Sequence, residues 1–192
     1  MTFTDARDKQ LYHSVKIGEQ TWMAENLNYD ANTTGSVCYD NKPANCDQYG
    51  RLYNWETAMK ACPSGWHLPS NDEWQELVGL AGGNKHLPSD DKCEDCTKMP
   101  PIDNGSYIAE KKLKATSGWS YYDNGTDDYG FSALPGGYGD PDGYFCDGGL
   151  RGYWWSSSDT KNGYSYIPSM YYLYSNNSSR NSELYSIRCL QD

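Results

Sequence analysis

The chain is short of the residues that ordinarily build a hydrophobic core. Three valines, five isoleucines and three phenylalanines are spread over 192 residues. With a net charge of -10, such scarcity is usually the mark of a disordered chain. No apolar run approaches the length of a membrane span. A basic excess is missing too, which excludes a phosphate-binding face and with it a nucleic-acid partner. The only histidines, His13, His67 and His86, are scattered, and no Ser/His/Asp set assembles around them. The chain therefore reads as non-enzymatic. No signal peptide is visible: Met1 runs straight into TFTDARDKQ, as a chain does once an export signal has been removed.

Seven tryptophans, eighteen tyrosines and seven cysteines argue against disorder. Large aromatic rings build a core from few residues, and disulfides restrict the unfolded chain. The length suits one domain spanning 1–192. Seven cysteines in a small acidic chain fit an oxidising compartment, so a secreted or cell-surface protein is expected. An odd count leaves at least one thiol unpaired or paired with another chain.

The stretch Ala61–Glu76, ACPSGWHLPSNDEWQE, organises the first half. Cys62 ends one helical pattern over Asn54–Cys62, and a Pro-Ser-Gly turn follows. Ser70 with Glu73 three residues on forms a capping box that launches a helix over Asn71–Leu80, stopped at Gly82-Gly83. His67, between Trp66 and Leu68, suits a hydrogen-bonded structural role in this corner. Upstream, Leu11–Ile17 and Thr21–Met23 read as a hairpin that leaves Trp22 and Met23 at the edge of the core. Cys38 and Cys46 bracket a loop short enough for a local disulfide.

Residues 85–106 read as an irregular insertion containing Cys93 and Cys96. One CxxC pair does not make a zinc site, so a bridge within the loop, or from one of the two to Cys146, is the better reading. Ile108–Thr116 is a short amphipathic helix. Beyond Trp119 helical patterns end, and turns separate strands at Gly152–Ser158, Ser165–Tyr174 and Leu184–Leu190. Helices in the first half and strands in the second, with one early hairpin, imply an α+β fold.

Several segments resemble the Fibrobacter succinogenes major paralogous domain: VKIGEQTWMAENLNY (Val15–Tyr29), YGRLYNWETAMKACPSGWHLPSNDEWQEL (Tyr49–Leu77), LKATSGW (Leu113–Trp119), DDYGFSALPGGY (Asp127–Tyr138), GYWWSSS (Gly152–Ser158) and SIRCLQD (Ser186–Asp192). They occur in family order and cover nearly the whole chain. The resemblance implies a C-type-lectin-like fold related to the formylglycine-generating enzyme domain. Two helices would pack on a twisted antiparallel sheet with the N- and C-terminal strands adjacent. It also implies a disulfide between Cys62 and Cys189, and an exported or surface protein of gut or fibre-degrading bacteria.

The same resemblance bears on metal and catalysis. Sugar-binding C-type lectins hold calcium through Glu-Pro-Asn or Gln-Pro-Asp with Trp-Asn-Asp. This chain lacks the former and has Trp154–Ser158, WWSSS, in place of the latter, so no cofactor is expected. The oxygen-rich loops carrying Asp123, Asp127, Asp128, Asp140 and Asp142 are the places a structural calcium would sit. Polar turns use the same residues for their own hydrogen bonds. Formylglycine-generating enzymes use a cysteine pair, and Cys146 is the most plausible member of one here.

The segment Tyr164–Ser182 is rich in Tyr, Ser and Asn and nearly free of aliphatic residues. That mixture joins rigid amphipathic area to adaptable hydrogen bonding, as recognition surfaces do. The expected ligand-binding set is Trp154, Trp155, Tyr164, Tyr166, Tyr171, Tyr172, Tyr174, Asn176 and Arg180. A polysaccharide or a surface protein is the expected ligand. The alternatives are an enzyme of the formylglycine-generating type and a structural spacer domain.

Overall fold

In Leu11–Ile17, alternation over Leu11–Ser14 buries Tyr12 and Ser14 on one side and leaves Leu11 and His13 exposed on the other, while Ile17, of the opposite parity to Tyr12, is buried at the strand's end. Such a period of two makes a half-buried strand. The computed structural model describes residues 1–82, 104–158, 164–167, 169–170 and 177–192. In it this strand is β2, following β1 (Thr2–Thr4) and turning at Gly18 into β3 (Gln20–Met23). Gly18 sits at φ +61, where a side chain would be strained and would meet Leu80.

Next come β4 (Ser36–Val37), α1 (Pro43–Tyr49), β5 (Leu52–Tyr53), α2 (Trp55–Ala61), β6 (Trp66–His67) and α3 (Asn71–Leu80). Both main helices start on side-chain caps. Asn54 accepts from the Thr57 N–H at 3.0 Å, and the Ser70–Glu73 capping box is complete. α4 (Asn104–Leu113) follows, and its start overturns the expectation of irregular chain up to 106. The remaining strands are short: β7 (Tyr138–Gly139), β8 (Phe145–Cys146), β9 (Gly152–Tyr153), β10 (Tyr164–Ile167), β11 (Ser169–Met170), β12 (Asn177–Arg180) and β13 (Leu190–Gln191).

The principal sheet is antiparallel, in the order β1-β2-β3-β13-β6. Four of its five strands come from the first 67 residues, so the expectation of strands gathered in the second half is wrong for the main sheet. The second half contributes two-stranded ribbons and β13, which enters between β3 and β6. The class is α+β with antiparallel sheets. No helix among the described residues is long and apolar enough to cross a membrane.

Two cores lie on the two faces of this sheet, because successive side chains of a strand point opposite ways. Trp22 and Leu190 join a cluster with Trp74, Leu77, Leu113 and Phe131. Met23 and Cys189, their immediate neighbours, join the other with Ala58, Trp155, Tyr185 and Ile187. Trp22 and Met23 are fully buried, not at the core edge as the hairpin alone implied. The reason is β13, which covers the free side of β3. Tryptophan rings supply the bulk that aliphatic residues do not, with Trp22 and Trp74 4.7 Å apart and Trp74 and Trp154 6.1 Å apart.

Two disulfides fasten the frame. Cys62, capping the end of α2, is bonded to Cys189 beside β13, and Cys38 is bonded to Cys46 within α1. Cys93 and Cys96 lie outside the described residues.

Candidate functional site

The expected recognition segment forms a ribbon. β10 pairs with β12, placing Tyr164 opposite Arg180 and Tyr166 opposite Ser178. Among the described residues this ribbon pairs with no other strand. It is tethered through β11, whose Ser169 and Met170 pair with Tyr153 and Gly152 of β9. Tyr171, Tyr172, Tyr174 and Asn176 lie outside the described residues.

Trp154 and Trp155 are a correction. Both are 0% exposed, one in each core cluster. The Trp154 Nε1–H donates to Asn26 Oδ1 at 2.8 Å, and the Trp155 Nε1–H donates to the Tyr53 carbonyl at 2.5 Å. They belong to the core rather than to a binding face.

The aspartate loops spend their oxygens internally. Asp127 accepts from the Ser132 N–H at 2.8 Å and the Ser132 hydroxyl at 2.6 Å. Asp140 accepts from the N–H groups of Asp142 and Tyr144, both at 2.9 Å, closing an Asx turn. Asp123 pairs with the buried Lys114 Nζ at 2.5 Å. Asp128 and Asp142 are exposed. No group of three or more His, Cys, Asp or Glu side chains suited to a metal occurs among the described residues.

The cysteines and histidines are placed as follows. Cys146, on β8, is an exposed free thiol, and Cys189, its conceivable partner in a catalytic pair, is bonded to Cys62. His67 is held between two carboxylates, with Nδ1 2.7 Å from Asp192 and Nε2 3.1 Å from Glu73. Burial opposes its protonation, but the hydrogen bonds to Asp192 and Glu73 outweigh that and raise its pKa above the ordinary value. His86 lies outside the described residues.

Two features were not legible in the sequence. A cavity of about 410 Å³ opens beside β2, lined by His13, Glu25, Val15, Ser132 and Leu134 among others. There Glu25 accepts from the His13 N–H at 2.8 Å and lies 2.5 Å from His13 Nδ1, leaving Nε2 as the other ring nitrogen. Only the hairpin register brings these two together, so no local motif announces them. The second feature is the turn Ser120–Tyr122, where two adjacent tyrosines project into solvent. Its signal was present as YYDNG, but that run reads as a plain turn.

A model of the Fibrobacter succinogenes major domain matches residues 15–191. The chain belongs to that family. In this member the match runs from within β2 to β13, so it takes in the principal sheet apart from β1, most of both cores, the ribbon and the Cys62–Cys189 bridge. No curated protein and no solved structure matches the chain.

Proposed function

We propose that this member of the Fibrobacter succinogenes major domain family is a non-enzymatic recognition module displayed outside the cell, binding a glycan or a surface protein through its Tyr/Ser/Asn-rich C-terminal segment. The observation that carries this reading is the β10–β12 ribbon. Among the described residues it pairs with no strand of the principal sheet, yet the neighbouring β11 pairs with β9, whose Tyr153 is buried in the core. Tyr, Ser and Asn on a ribbon so anchored combine a fixed position with adaptable hydrogen bonding.

A C-type-lectin-like fold accords with the sheet order, in which β13 lies beside the N-terminal hairpin, and with α2 tied to the end of the chain by a disulfide. Two disulfides support an exported location.

The test is a glycan array together with pull-down on cellulose and xylan, using the wild type and a variant with Tyr171, Tyr172 and Tyr174 changed to Ala. The variant is expected to lose the ligand that the wild type retains. Unchanged binding overturns the assignment of the C-terminal segment.

A further inference from the structure

Tyr121 and Tyr122 are 86% and 100% exposed. Both have left-handed backbones, Tyr121 at φ 56 and ψ 31 and Tyr122 at φ 61. That region is costly for bulky residues and normally falls to Gly, Asn or Asp. The strain persists because the flanks over-determine the turn. The Ser120 N–H donates to the Gly149 carbonyl at 2.8 Å, and the Trp119 N–H donates to Asn124 Oδ1 at 3.1 Å. The Asp123 carboxylate is held on Lys114 Nζ, and the Gly125 N–H donates to the Ala115 carbonyl at 2.8 Å. These ties hold the two tyrosines in place, and nothing among the described residues covers their rings. Strained backbone of this kind clusters at active sites and ligand clamps.

The chemistry of the pair selects the ligand. A phenol ring offers a flat apolar face edged by a hydroxyl, which matches a pyranose ring with its C–H face and equatorial hydroxyls. The pinned turn has little conformational freedom left to lose on binding. A net charge of -10 over the chain disfavours polyanions. Ser120, Asp123 and Asn124, beside the pair in the chain, are polar and suit a hydroxylated ligand. We propose that Tyr121 and Tyr122 form a stacking site for the sugar rings of a neutral polysaccharide. This site is separate from the β10–β12 ribbon and goes beyond the reading given for it.

The test measures retention on insoluble cellulose and on unsubstituted β-1,4-xylan, with polygalacturonate as the polyanionic comparison. Four proteins are compared: the wild type, the double variant Y121N/Y122N, the double variant Y121F/Y122F and the C-terminal-segment variant Y171A/Y172A/Y174A. Asparagine tolerates the left-handed backbone, so Y121N/Y122N is expected to melt at or above the wild-type temperature. Loss of two stacked rings should weaken its binding about tenfold or more, while the phenylalanine variant stays within about threefold of wild type. Wild-type binding by folded Y121N/Y122N overturns the proposal, as does retention by the wild type on polygalacturonate alone or on none of the three. Loss in the C-terminal-segment variant alone also overturns it and leaves the proposed function standing. Loss in Y121N/Y122N alone supports it and removes the C-terminal segment from neutral-glycan binding.

Discussion

The guanidinium of Arg188 rests on the side-chain oxygen of Asn26, donating from Nε at 3.2 Å and from Nη2 at 2.8 Å. Arg188 is 0% exposed, and its remaining partners are the carbonyls of Met23, Phe131 and Ser132. Burial pushes its pKa down to about 9, against the raising effect of Glu25 and Asp127. The same Asn26 oxygen accepts from Trp154, and the Asn26 amide donates to the Tyr49 carbonyl at 2.8 Å. One uncharged side chain thus joins β13, the WWSSS segment and the end of α1. Asn26→Ala strips a buried cation and a buried indole of their acceptor, and should cost about 3 kcal/mol in urea unfolding. A loss under about 1 kcal/mol, the size of a single ordinary hydrogen bond, would show that water replaces the amide.

The two disulfides should differ in worth. Cys62–Cys189 spans 127 residues and Cys38–Cys46 spans 8. Chain entropy alone puts the long bridge at about 4–5 kcal/mol and the short one at about 2–3 kcal/mol. The double variants C62A/C189A and C38A/C46A, unfolded in guanidinium, measure both. Equal losses would contradict the entropic account.

His67 gives stability a pH dependence. Its folded pKa is raised above 6.5, so its contribution is fully present below that value and fades as pH rises through the folded pKa. Burial works against ionised Glu73, but hydrogen bonds from Ser70 and His67 outweigh it and lower the pKa from 4.5. The Glu73 contribution is therefore present above 4.5 and lost as pH falls through its lowered value. Thermal melting should peak between these two titrations, and His67→Gln should flatten the alkaline limb most and the acid limb less, since Glu73 keeps its bonds from Ser70. An unaltered alkaline limb in H67Q would assign that loss to another group.

Lys114 is buried between Glu110 and Asp123, with its ammonium 4.0 Å from the centroid of Trp119. Burial raises the pKa of Glu110 in spite of the neighbouring lysine. Lys114→Ala leaves that carboxylate buried without a counter-charge and should cost about 3–5 kcal/mol. Pairing K114M with E110Q should recover much of the loss, because no charge then remains in the core. A double variant as unstable as K114A would place the loss in packing instead.

Legibility followed distance along the chain. The Ser70–Glu73 box and the β2–β3 hairpin were readable because each is closed by neighbours within a few residues. The Cys62–Cys189 bridge was reached only through family resemblance, since seven cysteines leave many pairings open. α1 was overlooked although Pro43 opens it and Gly50 follows it, because two bracketing cysteines invited a loop. The WW pair misled for a different reason. Consecutive aromatics on a strand normally put one ring in water, but here both faces are covered, so Trp154 and Trp155 are each enclosed. The His13–Glu25 contact and the position of β13 depend on long-range pairing that no local pattern encodes.

That position governs the order of folding. β6 reaches the principal sheet only across β13, through Leu190 paired with His67 and Trp22 on its two sides. Nearly the whole chain must therefore exist before this interior strand can be seated. Until then β3 and β6 are open edges, inviting pairing with other chains. Contacts of such sequence separation fold slowly. A ribosome-bound or truncated form ending before residue 188 should expose those edges and require a chaperone, whereas addition of the last few residues completes the sheet in a single step.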